Sequence, residues 1–223
     1  MPVNVDVLRR VPLFAGLDQE DLAHVAALMF ERRYDRGDII LLEGDRNGGL
    51  YIVCAGLVKV FKTSAEGKEQ VLRLIAPIHT FNDVPALDGG PNPAGAAALE
   101  PSTVYVLGHA ELRALIVGRP AVAEGAIHML AGALRHLVEL VETLSFRHVT
   151  ARVAKILLDQ EALPHSDKAA YRLTQQEMAA MAGTAREMVG RALKELEAAG
   201  AIEMRQGRAV VLHPDRLRLL AQQ

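Results

Sequence analysis

One stretch constrains this chain more than any other: LTQQEMAAMAGTAREMVGRALKELEAAGAIEM, residues 173 to 204. Thr174 with Glu177, and Thr184 with Glu187, each fit a Thr-x-x-Glu capping box, which predicts two helix starts ten residues apart. Gly183 stands where the chain must turn between them, a position that favours a left-handed residue. This is helix-turn-helix spacing. In the second helix Val189, Ala192, Leu193 and Leu196 fall at i, i+3, i+4 and i+7, the pattern of a face turned toward a core. Glu187, Gly190, Arg191 and Lys194 repeat the spacing on the other side and form a charged stripe. Gly200 ends the helix, and AIEMRQGRAVVL then reads as two short strands about a Gln206-Gly207-Arg208 turn, the wing of a winged helix.

The stripe suits a helix that enters a DNA major groove, where an arginine bonds guanine bidentately and a carboxylate accepts from cytosine. A net charge of −2 argues against such a partner only until the chain is divided. Residues 1 to 147 carry 14 Lys and Arg against 18 Asp and Glu, whereas residues 148 to 223 carry 11 against 9. The positive excess lies where the stripe lies.

The first two-thirds of the chain has a different grammar. From RGDIILLEGDRNGGLYIVCAGLVKVFKTSAEGKEQVLRLIAP onward, short apolar segments alternate with turn signals at Gly37, Gly44, Gly48-Gly49, Gly56 and Gly67. Evenly spaced strands with glycine punctuation predict a β-sandwich or barrel. Before them, LDQEDLAHVAALM reads as a helix with Asp18 as N-cap and Leu22, Val25, Ala26 and Met29 on one face. After them, Ile127, Leu130, Leu134, Leu137, Val141 and Leu144 alternate steps of three and four, the seam of a coiled coil. A buried helix in a monomer could carry that pattern too. The seam is narrow and flanked by Arg135, Glu139 and Glu142, which suits a partner helix better than a broad sheet, so a homodimer is expected.

Several classes are excluded. No apolar run is long enough to span a bilayer, and MPVNVDVLRR lacks the form of a secretory signal, so a cytoplasmic protein is expected. The single Cys54 supports neither an internal disulfide nor a Cys-ligated cluster. A nucleophile elbow, a phosphate loop and paired His/Glu metal spacing are all missing from the sequence, so no enzyme is expected.

TQQEMAAMAGTAREMVGRALKELEAAGAI resembles the DNA-reading segment of the CRP/FNR superfamily of bacterial transcription regulators. The resemblance continues through LYIVCAGLVKVF, EGKEQVL and TLSFRHVTARVAKILL. It implies an α+β fold: an N-terminal double-stranded β-helix (jelly-roll) sensor of cyclic-nucleotide-binding type over 1–118, a dimerisation helix over 119–147, and a winged helix-turn-helix over 148–223. TAREMVGR is similar to the Arg-Glu-x-x-x-Arg pattern of the catabolite activators. That implies base contacts by Arg186, Glu187 and Arg191 on a two-fold TGTGA-like site, phosphate contacts by Thr174, Gln176 and Lys194, and RNA polymerase as a further partner. Phe146 and His148 fall where the family has a hinge.

The implied effector departs from the family. Members that bind cyclic AMP carry Gly-Glu and, some ten residues later, Arg-Ser to hold ribose and phosphate. Here Asn82-Asp83 takes the Gly-Glu place, and no arginine occurs between Arg73 and Arg113. A cyclic phosphate buried without a cation is costly. Leu137 and Val138 replace the hydroxyl residues that meet adenine, completing a pocket too apolar for cyclic AMP. The segment from Glu66 to Pro101 is similar in layout to the Dnr-type regulators, which use haem to sense nitric oxide. His79, His136 and Cys54 are the candidate ligands for a haem-based sensor of nitric oxide or CO; constitutive activity set by protein level and another small ligand are the other readings.

Overall fold

The computed structural model describes residues 3–46, 48–162, 173–205 and 207–222, which fall into two compact units: Met1–Lys62 with Arg73–His136, and Thr63–Leu72 with Leu137–Gln223. In the first, α1 (Val5–Arg9), a single 3-10 turn and α2 (Gln19–Leu28) precede the strands. Asp18 caps α2 as expected, its carboxylate accepting from the Asp21 N–H at 2.8 Å. The strands are β1 (Phe30–Tyr34), β2 (Ile39–Leu41), β3 (Gly49–Ala55), β4 (Val58–Thr63), β5 (Glu69–Ile75), β6 (Thr80–Phe81), β7 (Gly95–Ala98) and β8 (Ser102–Gly108). A short helix, α3 (Asp83–Asp88), interrupts them, and α4 (His109–Gly118) and α5 (Pro120–Phe146) follow.

These strands make two four-stranded sheets in the orders β1-β8-β3-β6 and β2-β7-β4-β5, the arrangement of a jelly roll. Period-two alternation explains why LYIVC in β3 is apolar without interruption: its two faces enter two cores. Tyr51 and Val53 join Val58, Phe81, Ala96, Val104 and Val106 in one apolar cluster. Leu50 and Ile52 join Phe14, Leu22, Val25, Leu107, Leu112 and Val122 in the other, beneath the helices. Each of the Val, Leu, Ile and Phe side chains, once buried, contributes about 1.5–3 kcal/mol.

The glycine signals hold in part. Gly37, Gly44, Gly56 and Gly67 take positive φ and turn the chain. Gly49 instead opens β3, where an added Cβ would meet Val106 Cγ1 at 3.2 Å and Leu107 O at 3.3 Å. Close approach of β8, not a turn, crowds that position.

In the second unit the winged domain comprises α6 (Val149–Ala162), α7 (Gln175–Ala182), α8 (Arg186–Ala198), β9 (Ile202–Arg205), β10 (Arg208–Val211) and α9 (Pro214–Leu220). Strands β9 and β10 pair antiparallel, Arg208 opposite Arg205, as the wing reading anticipates; Gln206 lies outside the described residues. Val153, Ile156, Leu157, Met178, Val189, Leu193, Leu196 and Leu217 are buried and supply the core of the domain.

Candidate nucleic-acid interface and sensor site

The first of the two expected capping boxes is present. Thr174 Oγ1 accepts from the Glu177 N–H at 3.2 Å, and Glu177 Oε2 accepts from the Thr174 N–H at 2.6 Å. The second is not. Helix α8 begins one residue later than the pattern suggests, with Ala185 as N-cap and no side-chain cap bond. The turn itself accounts for the difference. Gly183 closes α7 in the left-handed region (φ 62°, ψ 39°), and the Thr184 N–H is drawn back to Ala179 O at 3.1 Å. Thr184 thus completes the end of α7, and Glu187 has no capping duty. Any residue but glycine at 183 would also meet Gln70 Oε1 at 2.8 Å and Leu144 Cδ2 at 2.9 Å.

The core side of α8 is as expected: Val189, Ala192, Leu193 and Leu196 are all buried. Its flanks are tied to the scaffold. Glu195 accepts from the Thr150 hydroxyl, and Glu197 Oε1 accepts from the Met204 N–H at 2.8 Å. By contrast Arg186, Glu187, Arg191 and Lys194 are exposed and make no hydrogen bond or ion pair with another described residue. Thr174 and Gln176 are exposed at the start of α7. The charged groups at 187, 191 and 194 therefore form one outward stripe, with Arg186 beside it at the N-terminal end.

The seam on α5 faces solvent in the single chain. Ile127, Leu134 and Val141 are 66 %, 63 % and 63 % exposed, Leu130 and Leu137 are 39 % and 45 %, and Leu144 is half-buried. The seam itself is not buried in the core of its own chain, although Val122 and Ala126 at the start of α5 are. The break between α5 and α6 falls at Arg147 and His148. Phe146, at the end of α5, is 80 % exposed. Lys155 Nζ meets Glu139 Oε1 at 2.8 Å across that break.

In the roll, Asn82 adopts the left-handed conformation (φ 62°, ψ 33°), which asparagine tolerates better than most side chains, and donates from Nδ2 to Gly49 O at 3.0 Å. Asp83 is 8 % exposed, with Oδ1 left without a hydrogen-bond partner. Burial pushes its carboxyl up from the ordinary range, and the Thr80 hydroxyl and Arg73 only partly oppose this. Arg73 Nη1 lies 3.6 Å from Asp83 Oδ2, which corrects the expectation that no cation reaches this place. Ten residues separate the two in sequence, but β5 and the start of α3 bring them together. Leu137 and Val138 are exposed.

Of the haem candidates, Cys54 is half-buried. Its side chain packs with Leu50 and Ile52 against the apolar cluster beneath the helices, and burial pushes its thiol up to about 12. His79 is exposed with Nδ1 3.1 Å from Pro77 O, and His136 is half-buried on α5. Among the described residues, no three His, Cys, Asp or Glu side chains gather to hold a metal ion. No single described helix is long and apolar enough to cross a membrane.

A jelly roll, a long helix and a winged helix-turn-helix with an outward charged stripe define a DNA-binding regulator with a sensor-type roll. Residues 31–118 match the cyclic nucleotide-binding domain, and residues 151–220 match the Crp-like helix-turn-helix domain. The chain is 35 % identical over 197 residues to the cyclic AMP receptor protein of Thermus thermophilus, covering 88 % of this chain and 90 % of that one. It is 28 % identical over 212 residues to a CRP-like cAMP-activated global transcriptional regulator of Mycobacterium tuberculosis, covering 93 % and 94 %. Among solved structures, FixK2 from Bradyrhizobium japonicum superposes with a TM-score of 0.76 at 26 % identity, covering 86 % of this chain and 96 % of that one. The chain belongs to the CRP/FNR family of transcription regulators, whose members are not enzymes.

Proposed function

We propose that this regulator is a cytoplasmic homodimer that reads a two-fold TGTGA-like site and acts on RNA polymerase from there. The observation that carries the reading is the stripe on α8: charged side chains with no hydrogen bond or ion pair to another described residue, beside flanking glutamates that do have one. Arg186 and Arg191 address guanines, Glu187 the cytosine between them, and Thr174, Gln176 and Lys194 the phosphates. The exposed seam from Ile127 to Leu144 supports dimerisation, and the break at Phe146 to His148 supports a hinge between α5 and the reading head.

The test is a binding titration on a two-fold duplex with half-sites about one helical turn apart. Arg191→Ala is expected to cost about 1–3 kcal/mol and to flatten the preference at one guanine. Lys194→Ala is expected to weaken specific and scrambled duplexes alike and to lower the salt slope by about one unit. If Arg191→Ala weakens both duplexes equally, Arg191 is a phosphate contact and the half-site assignment fails.

The effector is proposed to differ from cyclic AMP, although the relatives above carry that ligand in their names. Arg73 offers the roll a cation, but Asp83 already faces it, so a phosphate arriving there meets an ion pair rather than a free positive charge. Calorimetry with cyclic AMP is expected to show no binding heat; saturable binding at micromolar concentration overturns this part of the proposal alone.

A further inference from the structure

Among the large apolar side chains of α8, Val189 and Leu196 are 0 % exposed and Leu193 is 2 %, whereas Met188 is 38 % exposed. Met188 stands in the first turn, directly after Arg186 and Glu187 and one turn before Arg191. Helical geometry puts it about 60° round the axis from Arg191, at the border of the outward stripe. It is not among the residues that fill the inward face, which are Val189, Ala192, Leu193 and Leu196. Nor can it anchor a phosphate: a thioether has no hydrogen to donate. A flexible, polarizable apolar side chain at the lip of a reading helix can recognise another apolar group, and the major-groove edge of the base pairs offers one, the C5-methyl of thymine.

We infer that Met188 is a specificity-determining residue that reads a thymine methyl within each half-site. The inference rests on the proposed base-reading role of α8 and extends it from hydrogen bonds to an apolar contact. It separates two features that ordinary base substitution confounds. An adenine–thymine pair and an adenine–uracil pair display the same donors and acceptors and differ by a single methyl group. Only an apolar reader distinguishes them.

The experiment uses the full-length protein and the duplex it prefers from a random pool, with each thymine of the half-site replaced in turn by uracil. At one position the wild type is expected to lose about four-fold in affinity per half-site, the factor that burial of one methyl-sized group supplies. In Met188→Ala that sensitivity is expected to vanish while the preferences at other positions stay, and Met188→Leu is expected to retain it. If no uracil weakens wild-type binding, or if the sensitivity persists in Met188→Ala, the inference is overturned. The uracil scan on wild type alone keeps it testable should Met188→Ala fold poorly. Failure of the underlying reading looks different: the pool then yields no preferred duplex, or Arg191→Ala leaves the sequence preference intact.

Discussion

In the roll, Arg73, Thr80 and Asp83 face one another in a largely buried group. On α8, Arg186, Glu187, Arg191 and Lys194 face outward with no partner among the described residues. Both sets mix acid and base, and composition alone does not distinguish them. The difference is where the desolvation cost is met. In the roll it is met on folding, so the group belongs to the stability of the domain. On α8 it is deferred until a partner arrives, so the group is free to discriminate between partners. The α5 seam repeats the outward case with apolar side chains.

The largest test of this contrast replaces Leu134 and Leu137 together with glutamate. Both are outward in the single chain, so the fold is expected to persist, while light scattering falls to the monomer mass. Affinity for a two-fold site is expected to drop by about a hundred-fold or more as bivalent binding is lost. A double variant that remains dimeric places the interface elsewhere.

A second test addresses the inward group. The folded-state pKa of Asp83 lies above its unfolded value, so its burial cost is fully present above the folded pKa and disappears as the pH falls toward the ordinary carboxylate range. Asp83→Asn is therefore expected to melt higher than wild type at pH 7, with the gap closing as the pH falls through that interval. A variant less stable at pH 7 would show that pairing with Arg73 outweighs burial.

The smallest effect sharpens the helix-turn-helix itself. Thr174→Ala removes an observed cap and is expected to cost about 1 kcal/mol in urea denaturation. Thr184→Ala removes a hydroxyl with no capping role, and a change within about 0.5 kcal/mol is expected. Equal losses would restore the second capping box.

Where one local pattern decided the outcome, the sequence was readable. Asp18 at the start of α2, Gly183 between α7 and α8, the one-sided apolar face of α8 and the six-residue seam of α5 all lie where the pattern puts them. The misreadings arise where a second requirement competes. Thr184-x-x-Glu187 satisfies the capping pattern, yet the closing bond of α7 engages the Thr184 backbone first. Gly49 looks like a turn glycine because its need for space comes from β8, nearly sixty residues away in sequence. Arg73 escapes a reading that looks for a cation after Asp83, since the partner comes from a preceding strand.

The outward seam on α5 also bears on gene dosage. Where the active species is a pair and most chains are single, the amount of pair rises with the square of the amount of chain. Doubling synthesis then gives about four times the pairs and halving it about a quarter, by mass action alone. A promoter read by this protein would respond to its supply more steeply than in proportion, with no small molecule involved, until the chains are abundant enough to be paired throughout.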